Sequence, residues 1–367
     1  MDWNFIIFSA VKVLVVIFLA VLPMVSFAVL VERKLSAFIQ DRVGPNRATP
    51  FLVRYLPGIG PLLVRLGLFH PLADVPKLLL KEDFTPAHVR KPWFWIAPAA
   101  AMVPAFLTIG VIPFGSALGG QQMVIADLNV GILYTFGIVS LGVYGIVLAG
   151  YASNSKYPFL GGIRSSAQMI SYEIAMGMSV IPVFLLVGDL SFNQVIANQT
   201  GGLFGISWLP NWHLFQSPML FLAFCIFIVA ALAETNRLPF DLPESETELV
   251  AGYNTEYGSM KFSLFFLGEY AAMISVSALM VTLFCGGWTL PWFGLDQPAG
   301  PGELFKGLLH IGVFVGKLAV FMVALMWVRW MLPRFRYDQL MDLGWRRFIP
   351  LALANIVLTA GWLWWRS

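Results

Sequence analysis

Between two apolar runs, the segment Ala233-Glu-Thr-Asn-Arg-Leu-Pro-Phe-Asp-Leu-Pro-Glu-Ser-Glu-Thr-Glu-Leu-Val250 gathers five carboxylates and one arginine: Glu234, Asp241, Glu244, Glu246, Glu248 and Arg237. Carboxylates this dense at a membrane boundary repel one another and resist desolvation, while a nearby guanidinium favours their charged form. Groups held in that balance exchange protons readily, so the chemistry expected of this loop is proton handling.

The elements that must position these acids follow from composition. With 58% hydrophobic residues, 12% charged residues and a positive mean hydropathy, 367 residues cannot hide their apolar surface within a water-soluble globule. The apolar runs are ~20 residues long, the helical rather than the β-barrel signature. They centre on Phe5 to Val31, Trp93 to Phe114, Leu128 to Gly150, Ala167 to Val187, Pro218 to Ala233, Phe262 to Phe284, Leu304 to Leu332 and Phe348 to Trp365. The expected fold is an all-α integral membrane protein of eight transmembrane helices forming one membrane domain over 1–367. The first run has no small-residue cleavage site and reads as a retained helix, kinked at Pro23.

Charge sets the orientation. Arg33 to Lys91 holds ten basic residues, Tyr151 to Ser165 two, and Arg329 to Arg347 five; Arg237 and Lys261 bracket the acidic loop, and the alternate loops hold none. The positive-inside rule puts the basic segments, including a structured loop over 32–92 and the acidic loop over 234–261, in the cytoplasm and both termini outside. The net charge of +3 is mainly this signal, with no basic-aromatic pattern suited to nucleic acid. The two cysteines and four histidines show no ligand spacing, and no glycine-rich nucleotide loop is present, so no metal or redox cofactor is expected in this chain.

The first basic loop is long for a plain connection. Its Pro and Gly residues leave two short pieces, Leu62 to Phe69 and Val75 to Leu80, expected as interfacial or re-entrant amphipathic helices, the second capped by Asp74 with Pro76 in its first turn. Gly312-Val-Phe-Val-Gly316 is expected to let another helix approach closely.

Several segments carry a resemblance: Glu32-Arg-Lys-Leu-Ser-Ala-Phe-Ile-Gln-Asp-Arg-Val-Gly-Pro-Asn-Arg47, Ala73-Asp-Val-Pro-Lys77, Gly150-Tyr-Ala-Ser-Asn-Ser-Lys156, Gln168-Met-Ile-Ser-Tyr-Glu173, the acidic loop and Pro333-Arg-Phe-Arg-Tyr-Asp-Gln339. In this order they closely resemble the family of H subunits of respiratory complex I, the proton-translocating NADH:quinone oxidoreductase, whose mitochondrial counterparts are the NADH dehydrogenase subunit 1 chains. Tyr151 departs from the tryptophan of many relatives but keeps an amphipathic aromatic there. The resemblance implies a membrane subunit that forms much of the quinone chamber, joins the peripheral arm to the membrane arm and couples quinone reduction to proton translocation. Quinone would be the substrate. Flavin and iron–sulfur clusters would reside in partner subunits, with the peripheral-arm chains and the other membrane subunits of complex I as partners in a bacterial inner membrane.

Site expectations combine both lines. Arg33, Asp74 and Arg329, brought to one level by the topology, would with Phe240 serve the quinone headgroup. Glu173, Glu234 and Glu269, within or at the ends of apolar runs where an unpaired carboxylate is costly, would with Glu244, Glu246, Glu248 and Glu256 form a proton path or coupling element. Arg237, Arg334 and Arg336 would dock the peripheral arm. Lys317, near the middle of the seventh run, reads equally as a counter-ion. Two other readings fit the same chain: the membrane anchor of an energy-converting hydrogenase related to complex I, and an autonomous ion carrier; the long inner loop and acidic docking face speak against the carrier.

Overall fold

Among the described residues, eight apolar helices form the body of the molecule. The computed structural model describes residues 13–48, 50, 59–203, 208–243, 246–292, 294–300 and 302–366. Seven of its helices have the length and apolarity to cross a membrane: α1 (Val13–Ile39), α4 (Lys91–Ile109), α5 (Gly131–Ala152), α6 (Lys156–Val187), α11 (Ser259–Phe284), α12 (Leu304–Met331) and α13 (Tyr337–Arg366). The expected eighth is α9 (Pro218–Glu234), apolar but only 17 residues long. It starts abruptly because Ser217 Oγ accepts the Leu220 N–H at 3.2 Å and Pro218 occupies the first turn, where its missing N–H costs nothing. Between the long helices lie short ones: α2 (Ile59–Leu66), α3 (His70–Leu80), α7 (Phe192–Asn198), α8 (His213–Gln216) and α10 (Glu246–Leu249). A two-strand hairpin, β1 (Ala117–Leu118) and β2 (Gln121–Gln122), follows α4.

The apolar pattern underestimates several helices because their polar first turns do not register as hydrophobic. Helix α6 begins at Lys156 rather than near Ala167, and α11 at Ser259 rather than Phe262. Glu173 and Glu269 therefore lie deeper along their helices than their places in the apolar runs indicate. The disturbance expected at Pro23 takes the form of a π-helical turn over Val16–Val21, just ahead of the proline whose ring cannot sit against the preceding carbonyl.

Helix α11 is the central member, with 72% of its most apolar window buried, against 17% for α13. Close approach depends on glycine at one crossing: a Cβ on Gly145 of α5 would stand 2.6 Å from the Ala101 Cα of α4. Gly312 and Gly316, by contrast, have no atom of the described residues within 4 Å of where a Cβ would be, so the close packing expected of that motif is not made among the described residues.

The two loop helices are present, with one correction. Helix α3 starts at His70, with Pro71 in its first turn and Pro76 inside it, so Asp74 is an interior residue rather than its cap. The starting proline lies one turn earlier than the sequence reading placed it. None of the α3 residues is buried, and Leu72, Leu79 and Leu80 are largely exposed, as befits an interfacial helix. Its end is fastened to α11, where Ser259 Oγ donates to the Leu78 and Lys81 carbonyls at 3.1 and 2.9 Å. Residues 1–12, which include Lys12 and the start of the first run, and Glu244 lie outside the described residues, as does the side chain of Glu246.

A charge cluster between two cavities

Two pairs of consecutive residues build the site. Successive positions on an α-helix point about 100° apart, so Glu32 and Arg33 on α1 face different neighbours, as do Glu269 and Tyr270 on α11. Arg33 turns to α3, where its Nη1 donates to Asp74 Oδ2 at 2.7 Å, both side chains remaining partly exposed. Glu32, only 6% exposed, turns into the bundle. Its Oε2 accepts from Arg237 Nη1 at 2.5 Å and from the Tyr270 hydroxyl at 2.7 Å, and its Oε1 accepts from Arg329 Nη1 at 2.5 Å.

Arg237 extends the cluster. It follows α9 on the loop and is 4% exposed, with its guanidinium carbon 4.5 Å from the Tyr270 ring centre. Its Nε lies 2.7 Å from Glu269 Oε1, near enough for strong attraction although the N–H does not point along that line. Beside Glu269 and Glu32 the guanidinium is held charged more firmly than usual, their attraction outweighing the opposing effect of burial. Two carboxylates and two guanidiniums thus offset one another, as buried ions must. Arg237, expected to dock the peripheral arm, instead lies inside the fold as the counter-charge of two acids on different helices.

The cluster separates two cavities. One, of about 370 Å³, lies between α1, α3 and α11; Arg33, Asp74, His70 and Lys77 supply its polar side, and Val29, Phe266 and the Tyr270 ring its apolar side. Its size and balance suit a flat organic headgroup. The other, about 90 Å³ and bounded by α4, α5, α6, α9 and α11, is lined by Glu234, Glu269, Thr108, Thr135 and Ser275 among apolar residues, with space for several waters. Glu234 is 4% exposed, and neither of its oxygens has a hydrogen-bond partner within the described residues. Gln168 of α6 fixes the chain around it, donating to the Ala233 and Phe240 carbonyls at 2.7 Å each.

The remaining expected site residues fall elsewhere. Arg329 does not line the first cavity; it binds Glu32, which in turn accepts from the Tyr270 hydroxyl at the cavity wall. Phe240 is buried against Tyr172 and Phe335, ring centres 5.6 and 5.4 Å away. Glu173 lies on the lateral face of α6 in an open groove, with no ion pair among the described residues. Glu248 pairs with Arg164 at 2.7 Å, and Glu256 lies 3.7 Å from His88. Arg334 binds Asp241 at 2.9 Å, whereas Arg336 is exposed and pairs with Asp338 at 2.6 Å. Sequence reading missed Glu32 and Tyr270 as site residues. The available signal was adjacency: an acid beside Arg33 at the end of an apolar run, and a phenol beside Glu269 inside one.

A model of the family described as NADH dehydrogenase matches residues 11–360. The chain is 43% identical to the second of the NADH-quinone oxidoreductase H subunits of Koribacter versatilis over 373 residues, 97% of each chain. It is 44% identical over 352 residues to the first such H chain of Cytophaga hutchinsonii, covering 94% of this chain and 93% of that one. With the first H chain of Geobacter metallireducens it shares 45% over 351 residues, 95% of this chain and 94% of the relative. The chain therefore belongs to the NADH dehydrogenase family, among the H subunits of NADH-quinone oxidoreductase, and is a multi-pass membrane component of respiratory complex I.

Proposed function

We propose that this chain forms the headgroup end of the quinone chamber and transmits the charge change of quinone reduction to buried carboxylates, so coupling the reaction to proton translocation. The observation that carries this reading is a single connected path. Tyr270 lines the cavity beside Arg33 and Asp74 and donates to Glu32; Glu32 shares Arg237 with Glu269; and Glu269 lines the second cavity with Glu234. Quinone reduction consumes protons along with electrons. The Arg33–Asp74 pair, half open to the cavity, would orient the headgroup, and the Tyr270 hydroxyl would respond to charge developing there. A change at Tyr270 alters how strongly Glu32 holds Arg237, and Glu269 answers through the same guanidinium. Glu234, without a hydrogen-bonding partner of its own within the described residues, is the acid most sensitive to that answer. Glu173, in the groove that shares Phe136 with this cavity, is the next site along the path, and Glu246 and Glu248 of α10 belong to the same acidic set.

The electrons arrive from flavin and iron–sulfur groups in partner subunits. The basic end faces the cytoplasm of a bacterial inner membrane, where the exposed Arg336 meets the peripheral arm. Arg334, which binds Asp241, stiffens that surface from behind.

The test uses the assembled native complex. Asp74→Ala, Arg33→Ala and Arg329→Ala are expected to cut inhibitor-sensitive quinone reduction strongly, while electron transfer from NADH to an artificial acceptor upstream stays near normal. A Glu173→Gln, Glu234→Gln double variant is expected to depress both pumping and quinone reduction. Normal quinone turnover in all three alanine variants would remove this cavity from the chamber, and normal pumping in the double variant would leave the carboxylates with a packing role. Proton reduction in place of quinone reduction by the native assembly would move the chain to the hydrogenase reading.

A further inference from the structure

Phe136 of α5 is the one described residue that lines both the cavity of Glu234 and Glu269 and the more open lateral groove of Glu173. The groove, about 810 Å³, is walled mostly by apolar side chains of α5 and α6 such as Leu133, Ile170 and Ile174, with Asp189 as the other acid on its lining. A partly buried phenyl ring thus stands where the polar contents of one space would meet those of the other. Water and the protons it carries do not pass a dry apolar constriction unless it widens, which is how hydrophobic gates work.

The helix that carries this ring is built to move locally. Gly137 and Gly142 lie inside α5, and neither has any atom within 4 Å of where a Cβ would be, so neither serves close packing as Gly145 does. Interior glycines lower a helix's resistance to bending. Here they follow the ring directly and a turn and a half later, and Gly142 itself lines the cavity of Glu234 and Glu269. On the other wall Gly177 of α6, likewise without neighbours, leaves space in the groove into which a ring could swing.

We propose that Phe136 is an apolar gate between the Glu234–Glu269 cavity and the Glu173 groove: closed, it isolates the two carboxylate sites; swung aside, it lets a water chain join them. This rests on the carboxylate path proposed above, but gating can be measured apart from pumping. In the assembled complex transferred to deuterium oxide, the infrared carboxyl band that disappears in Glu234→Gln reports how fast that acid exchanges its proton. Phe136→Ala should accelerate the exchange about tenfold by opening the constriction, and Phe136→Leu less. Gly137→Ala with Gly142→Ala, which the vacant space accommodates, should slow it while leaving the ring in place. With the gate held open, protons pumped per quinone reduced should fall while quinone turnover is maintained. If Phe136→Ala does not assemble, Phe136→Leu and the double alanine variant still bracket the exchange rate from both sides. Exchange unchanged in every variant would overturn the gate even if Glu173 and Glu234 prove essential; normal pumping in the Glu173→Gln, Glu234→Gln complex would overturn the path while leaving faster exchange in Phe136→Ala as proof that the ring separates the two spaces.

Discussion

The two ends of the bundle bury charged and ionisable side chains in opposite ways. At the basic end Glu32, Glu269, Arg237 and Arg329 meet side chain to side chain, so each ion depends on another that can be lost, moved or protonated. At the other end Lys317 meets no carboxylate among the described residues: its Nζ donates to the carbonyls of Cys285, Gly287 and Thr289 at 2.7, 3.0 and 2.6 Å and stands 4.5 Å from the Trp212 ring centre. Those carbonyls follow the end of α11, where acceptors lack helical partners and the helix dipole is negative. His213 also binds backbone, its Nδ1 lying 2.7 Å from the Leu283 carbonyl, and Gln199 accepts the N–H groups of His213 and Gly286 at 3.2 and 2.8 Å. A cation held by fixed carbonyls has one low-energy arrangement. Ions held by other ions have several, and the basic end is where an electrostatic signal can propagate.

Breaking the basic cluster should have the largest effect. Glu32→Gln leaves two guanidiniums facing one remaining carboxylate, and removing one partner of a buried ion pair typically costs ~3–5 kcal/mol. The expected outcome is little assembled complex on native gels and, in what assembles, quinone reduction lowered by about tenfold or more, in line with a ~1.4 kcal/mol penalty per decade. Arg237→Lys should be milder, since one ammonium has the charge but not the planar spread that reaches Glu32 and Glu269 together. Assembly is expected near normal with turnover reduced severalfold; wild-type turnover in that variant would show that bridging the two acids is unnecessary.

At the opposite end Lys317→Met should affect stability and not rate. It strands carbonyls at the end of α11, a loss of about 1–3 kcal/mol, visible as a lower thermal midpoint of the purified complex. Quinone turnover and pumping per assembled complex should be unchanged. A fall in pumping with stability intact would break the comparison and place Lys317 on a proton route.

The difference between the ends also explains what the sequence made legible. Hydropathy found all the long helices because burying ~20 apolar residues dominates their energetics, and Pro and Gly punctuation located α2 and α3. Glu234 and Glu269 could be named because an ion in or beside an apolar run is costly enough to need a reason, whereas Arg33 and Asp74 are named through their level in the topology and the resemblance to the H-subunit family. Which ions meet was not legible, since Glu32 and Arg329 are 297 positions apart and only the packing of α1 against α12 joins them. The same limit hid Gln199 and His213, whose partners are mainly backbone groups that leave no mark on residue type.

The smallest expected effect is the pH response of the quiet end. Burial drives the His213 imidazole down from 6.5 to about 4, with only partial relief from its bond to the Leu283 carbonyl, so it stays neutral in the folded protein where an unfolded chain would begin to take up a proton. The unfolded state thus binds more protons at any pH between about 4 and 6.5, and stability present above 6.5 is lost as pH falls through that window. Moving from about pH 6.5 to about pH 5.5 should remove ~1 kcal/mol from this group alone. The thermal midpoint of the complex should fall over that step, and His213→Gln should lower stability at neutral pH but flatten the response. An unchanged pH slope in His213→Gln would mean that the carboxylates of the basic end, not the histidine, set the acid sensitivity, and that the end built on backbone carbonyls is as indifferent to protons as its geometry implies for Lys317.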